Sequence, residues 1–221
     1  ALGALTGLAL GDALGMPTQS MSPAQIRRCY GSITGLRDAV AEQPIAPSMP
    51  AGSVTDDTEQ ALILAGLLTD GGGRIDPHQL ASTLLSWEDD MRARGSLDLL
   101  GPSTKLALER VRAGADPRCT GREGTTNGAA MRVAPVGIAF SLSTDGNALA
   151  RAVHASCLVT HDTRQGFEAA GLLAAAVSAA IDGVDAAGAL KAALDFVAAH
   201  PEEGHWTARA SVAARTRLAL E

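Results

Sequence analysis

Apolar positions along this chain recur with helical spacing almost everywhere, and sustained alternation is rare. Leu2, Leu5, Leu8 and Ala9 mark a first helix that ends near Gly15-Met16-Pro17 and is read as a core helix. Ser22-Pro23 is a start signal for a short second helix, with proline in its first turn. Residues 31–54 hold repeated Pro and Gly breakers without a period, so they form a long loop. Asp57–Leu68 is the next helix, with Ala61, Leu62, Ala65 and Leu68 on one face, and Gly71-Gly72-Gly73 ends it. Asp76-Pro77 opens a helix reaching about Arg94, and Gly101-Pro102 opens another through Arg112.

Residues 114–127, rich in Gly and Thr, form a second long loop. Helices follow at about 128–140, 145–158, 163–182, 186–199 and 207–220. Val133–Ile138 is the one stretch that resembles a strand, and Pro135 argues against it. The pattern therefore predicts an all-α, irregular bundle of roughly ten helices. Long structureless loops inside a compact domain are usually functional, which directs attention to both.

Composition supports one domain. The chain has 221 residues, 46% of them hydrophobic but only 3% aromatic. Ala, Leu and Val must fill the core, and small side chains let helices pack closely. A formal charge of −6 without a basic block argues against a nucleic-acid partner. The apolar runs Ala1–Leu14 and Ala169–Ile181 are too short to span a membrane. Cys29, Cys119 and Cys157 fit no zinc or disulfide spacing, so each is expected to be a buried free thiol in a reducing, cytoplasmic compartment.

The sharpest chemical signal is Ser53-Val54-Thr55-Asp56-Asp57-Thr58-Glu59, where a loop becomes a helix. Asp56 with Glu59 would make a capping box. Adjacent carboxylates flanked by hydroxyls exceed what a cap requires. Side chains diverge at a helix start, so Asp56 and Asp57 can reach two cations, with Thr55 and Thr58 adding hydroxyl oxygens. Hard oxygens of this kind suit Mg²⁺ or Mn²⁺.

Gly124-Thr125-Thr126-Asn127-Gly128-Ala129-Ala130-Met131-Arg132 is a small-residue turn feeding a helix. It reads either as an anion site or as a plain loop with Asn127 as N-cap. His161, in Val159-Thr160-His161-Asp162-Thr163, precedes a further helix start and reads as structural when taken alone. Asp12, between Gly11 and Ala13, reads as a buried, hydrogen-bonded acid. Asp98 lies in a loop just before a helix, where a solvated acid is the ordinary reading. His78, His154, His200 and His205 have no metal spacing.

Taken in order, Gly7–Gly15, Thr55-Asp56-Asp57-Thr58, Asn127–Arg132 with Pro135, and Thr160-His161 resemble the ADP-ribosylglycohydrolase family over about residues 3–182. The resemblance implies an all-α orthogonal multi-helix bundle with a binuclear Mg²⁺ or Mn²⁺ centre. It implies hydrolysis of the glycosidic bond at the ribose anomeric carbon of an ADP-ribosyl group. By the same likeness, Thr55, Asp56 and Asp57 are metal ligands and Asp56, Asp57 and Asp98 are catalytic acids. Gly124, Thr125, Thr126, Asn127 and Gly128 lie against the phosphates, and His161 sits beside the nucleotide.

Two departures qualify the likeness. The family carries a further acidic motif, Gly-x-Asp-x-Asp-Thr, near its C-terminus, and no such motif stands in residues 1–221. The expectation is one family-like domain over 1–221 that lacks its C-terminal part. A second chain completing the site, or a non-catalytic ADP-ribose-binding relative, are the alternatives. Gln19 stands where many members carry Glu. An amide cannot serve as a carboxylate base, so a small ribosyl substrate competes with an ADP-ribosylated protein. The expected state is a monomer or small homo-oligomer.

Overall fold

The computed structural model describes residues 1–95 and 100–220. Among them run eleven helices: α1 (Leu2–Gly15), α2 (Pro23–Tyr30), α3 (Asp56–Asp70), α4 (Pro77–Ala93), α5 (Pro102–Arg112), α6 (Gly128–Arg132), α7 (Ala134–Ala139), α8 (Gly146–His161), α9 (Arg164–Ile181), α10 (Ala186–Ala199) and α11 (Val212–Leu218). A 3-10 turn over Met16–Thr18 extends α1. The fold is all-α; the described residues contain no strand, only an isolated bridge between Thr163 and His205.

Helix starts follow the sequence signals. Ser22 and Gln25 close a reciprocal capping box on α2, with Pro23 inside it. Asp76, Asp145, Thr163 and Asp185 cap α4, α8, α9 and α10 through their side chains. The single helix expected at 128–140 is two. Pro135 cannot donate to the ladder, and its ring excludes the carbonyl four residues earlier, so the chain restarts as α7.

α9 is the hub, packed against α6, α7, α8, α10 and α11. Its alanines and glycines permit this. A Cβ on Gly137 of α7 would lie 2.3 Å from the Ala174 carbonyl oxygen of α9. The main core gathers Leu64, Leu68, Leu80, Leu84, Leu108, Val133, Val136, Leu149, Val153, Phe167 and Val197 from α3 to α10.

Three expectations change. α1 is peripheral: only Ala13 is buried and Leu2 is 81% exposed. This helix is apolar or small on every side, so its pattern could not reveal that one side alone meets α3 and α7. In α3 the buried face is Ala61, Leu64, Leu67 and Leu68, while Leu62 points outward. All three thiols are free, but only Cys157 is buried; Cys119 is exposed.

Candidate active site

The N-terminus of α3 opens onto the end of α1. Thr55 is the N-cap, and its hydroxyl accepts from the Asp57 amide at 3.4 Å. The stronger cap comes from another helix. Asp12 accepts from the Thr55 amide (2.8 Å), the Thr55 hydroxyl (2.8 Å), the Thr58 amide (3.2 Å) and the Thr58 hydroxyl (2.6 Å). Free amides of a helix start favour a carboxylate there.

The Asp56–Glu59 capping box does not form. Glu59 turns away, accepting from the Trp87 indole at 2.5 Å and pairing with Arg94 at 3.2 Å. With Asp12 already in the capping position, Asp56 and Asp57 are surplus to capping.

That surplus has an electrostatic consequence. Asp56 is 5% exposed, and its pKa is pushed up to about 7. Burial is the largest cause, followed by the charge of Asp57, with Asp12 adding to it; its own backbone amide and Thr55 oppose. Asp57 is raised too, by burial and then by Asp12, against a hydrogen bond from Thr55. The Thr55 hydroxyl has one proton and stands 2.8 Å from Asp12 and 3.2 Å from Asp57. Three acids thus crowd one helix start.

Two cavities meet there. One, of about 610 Å³, is walled by Gly7, Gly11, Asp12, Gly15, Gln19, Thr55, Asp57, Asn127 and Met131, with Leu173 and Val177 of α9 opposite. The other, of about 60 Å³, holds Gln19, Asp56, Asp57, Thr104, Thr126, Asn127 and Gly128. The structure therefore brings together Gln19, Thr55, Asp56, Asp57, Thr126, Asn127 and Gly128. Asn127 stands at the N-cap of α6 without a side-chain cap bond, so the plain capping reading fails for it.

Gly124, Thr125 and His161 lie outside both cavity walls. Gly124 is buried against α8: a Cβ there would meet the Thr160 carbonyl oxygen at 1.9 Å. A Cβ on Gly128 would meet the His161 ring at 2.6 Å. These glycines let the loop press against α8. The Thr125 amide donates to the Ser103 hydroxyl at 3.3 Å. His161 is fully buried, and burial drives its pKa down to about 3, so the ring is neutral. Its Nε2 is 2.9 Å from the Thr126 hydroxyl oxygen, which places Thr126 between the ring and the cavity. Asp98 lies outside the described residues.

Sequence reasoning missed the capping role of Asp12 and gave Met131, Thr104 and Arg132 no role. Arg132 offered a signal: one cation in a run of small and apolar residues. It is fully buried, donating to Gln60, Ser156 and Thr160.

Fold and site together define an all-α protein whose cleft is lined by acids at a helix start and by a small-residue loop. The ADP-ribosylglycohydrolase family model matches residues 1–221, and the chain belongs to that family. It is 34% identical to the protein YegU of Escherichia coli K12 over 221 residues, which is 100% of this chain and 65% of YegU. The ADP-ribosylarginine hydrolase Tri1 of Pseudomonas putida GB-1 is 31% identical over 194 residues, 84% of this chain and 47% of that protein. A solved ADP-ribosylglycohydrolase-related protein complex superposes with a TM-score of 0.67 at 29% identity, covering 91% of this chain and 62% of that one. The chain spans less than two thirds of each of these relatives.

Proposed function

We propose that this chain forms the acid-bearing part of a glycohydrolase that cleaves the bond at the ribose anomeric carbon of an ADP-ribosyl or related ribosyl compound. The observation that carries the reading is the pair Asp56 and Asp57, surplus to capping, held beside an open cleft. Family membership supports the reaction class. The relative Tri1 is an ADP-ribosylarginine hydrolase, and a Rhodospirillum rubrum relative, 32% identical over 146 residues (63% of this chain, 44% of that protein), is an ADP-ribosyl-[dinitrogen reductase] glycohydrolase. An ADP-ribosylated protein or a small ribosyl compound is thus the proposed substrate of this site.

The donor chemistry fits hard divalent cations. The charges of Asp57 and Asp12 raise the proton affinity of Asp56, that of Asp12 raises the proton affinity of Asp57, and a cation would relieve this repulsion. Thr55, Asp56 and Asp57 would hold Mg²⁺ or Mn²⁺, two ions in the complete site. Among the described residues no group of three or more His, Cys, Asp or Glu is spaced to hold a metal. These residues therefore give part of a coordination shell, and water, substrate or further protein oxygens fill the rest. Such ions, when bound, supply Lewis acidity to ribose oxygens and to water.

The chain's own residues do the remainder. One carboxylate of the pair Asp56 and Asp57, on an oxygen not engaged by an ion, would take the proton of the attacking water. Gln19 and Asn127, on the walls of both cavities, hold ligand oxygens without carrying charge. Attack at the anomeric carbon passes through an oxocarbenium-like state, which neighbouring carboxylates stabilise. Asp98 is retained as a candidate acid. Three free thiols favour a cytoplasmic location, and no described helix is long and apolar enough to cross a membrane.

The partial shell supports a second reading, a relative that binds ADP-ribose without cleaving it. Calorimetry of the protein with ADP-ribose, with and without Mg²⁺, separates the two when paired with product analysis on an ADP-ribosylated substrate. Cleavage that needs Mg²⁺ and vanishes in Asp56→Ala supports the enzyme. Full turnover in Asp56→Ala refutes the role of that residue.

A further inference from the structure

Arg132 takes no part in the reaction just described, yet it is a cation with no exposed surface. Withdrawing a guanidinium from water is costly, and buried charges are ordinarily paired. Its hydrogen-bond partners are neutral oxygens. Nη1 donates to Gln60 Oε1 at 3.0 Å, and Nη2 to the Ser156 carbonyl at 3.0 Å and to Thr160 Oγ1 at 2.5 Å. Nε has no partner among the described residues. The charge of Asp56 favours the buried cation, and the neutral oxygens around it fix the orientation of its donors.

The orientation can be followed atom by atom. Arginine offers donors only and keeps its proton, so the direction is fixed at this end. Thr160 Oγ1 accepts from Arg132 and retains one proton to give. His161 Nδ1, at 2.8 Å, is the acceptor in reach. A neutral imidazole accepting at Nδ1 carries its proton on Nε2. That proton goes to Thr126 Oγ1 at 2.9 Å. Thr126, having accepted, directs its own hydroxyl proton elsewhere. It lines the small cavity that also holds Asp56, Asp57 and Gln19.

We propose that Arg132 is a positioning residue, which acts through Thr160 and His161 to set Thr126 as a hydrogen-bond donor into the cleft. The ligand group this donor fits is an acceptor oxygen, and a ligand N–H at the same place is disfavoured. The ligand part of the proposal rests on the proposed function; the direction of the chain of bonds does not. Gly128 is part of the same device, because any side chain there would displace the His161 ring.

The direction is read by ¹⁵N NMR of His161 in the ligand-free protein. The expected spectrum shows a single neutral tautomer, protonated at Nε2. Thr160→Val removes the proton given to Nδ1 while keeping the side chain's shape, so it should redistribute the tautomers, and Thr160→Ser should restore them. A wild-type ring protonated at Nδ1, or a tautomer unmoved by Thr160→Val, overturns the relay. Because Arg132→Met risks misfolding, the Thr160 pair carries this test.

The donor role is read by calorimetry with ADP-ribose and with ADP. Thr126→Val should weaken binding roughly tenfold, and Thr126→Ser should not. Loss with both ligands assigns the acceptor to the ADP part, and loss with ADP-ribose alone assigns it to the distal ribose. Unchanged affinity for both overturns the donor role. Failure of the wild type to bind either ligand counts against the proposed function, and the tautomer still decides the relay.

Discussion

Two helices in this molecule are capped from a distance by a carboxylate of another helix, and they end differently. At α11, Glu168 of α9 accepts from the Val212 amide at 2.6 Å, the Ala213 amide at 3.1 Å and the Ser211 hydroxyl at 2.9 Å. Arg164, one turn earlier on α9, pairs with the same carboxylate at 3.1 Å. At α3, Asp12 of α1 does the corresponding work on Thr55 and Thr58. There, however, the cap brings two further acids with it, the set faces a cleft, and no salt bridge to Asp12, Asp56 or Asp57 is found among the described residues. The first arrangement is neutralised and closed, as a structural device should be. The second is charged beyond structural need, which marks it as a site.

The comparison is broken most severely at α11. Glu168→Ala leaves Arg164 without its carboxylate and two amides without their acceptor. The expected cost is about 3–5 kcal/mol in urea unfolding, because one member of a buried pair is removed. A cost under about 1 kcal/mol would show that the cap at α11 is not structural, and the contrast with α3 would fail.

At α3 the same kind of change should act in the opposite direction. The folded state holds Asp56 with a pKa near 7, above its ordinary 3.8. Its contribution to stability is full below pH 3.8 and is lost as pH rises through about 7. Asp56→Asn removes that loss, so at pH 8 without divalent cations it should stabilise the fold by on the order of 1–3 kcal/mol. The same variant should abolish glycohydrolase turnover. Mg²⁺ should raise the melting temperature of the wild type at pH 8 and leave that of the variant nearly unchanged. A variant less stable than wild type at pH 8 would mean that Asp56 is structural after all.

Much of this contrast was legible in the sequence, but unevenly. Asp56 and Asp57 stood out because two acids and two hydroxyls at a loop-to-helix junction are more than one helix start can use. Helix starts with a local cap, such as Asp76-Pro77, were legible for the same reason: the partner amide is two or three residues away. Caps that reach across the fold were not. Nothing local ties Asp12 to Thr58, 46 residues on, or Glu168 to Val212, 44 residues on. The glycines of the 124–128 loop looked like room for a ligand, and most of that room is filled by α8. Glycine spacing shows that something comes close, not what. His161 is a related case: its place at a helix junction was legible, while its burial behind Thr126 depends on how α8 meets the loop. Burial on α1 and α3 was misjudged where apolar residues surround the helix, because periodicity has then no contrast to report.

A second gathering of acids sharpens the contrast with a smaller effect. Asp162 and Glu203 converge on His154, whose Nε2 lies 3.1 Å from Asp162 and whose Nδ1 lies 2.6 Å from Glu203. Here a protonated histidine makes the paired contact that, among the described residues, no cation makes with the acids at the start of α3. The hydrogen bond to Asp162 is the main cause that raises the His154 pKa above 6.5; burial opposes it and Glu203 adds to it. A histidine raised in this way stabilises the fold fully below pH 6.5, and the gain disappears as pH climbs through the higher folded value. His154→Gln should therefore cost on the order of 1 kcal/mol at pH 5.5 and much less at pH 9. Thermal melts at the two pH values measure the difference. If the cost is the same at both, the ring is held by packing and not by charge. Neutralisation by a resident cation would then no longer be what separates this pair of acids from the pair at α3.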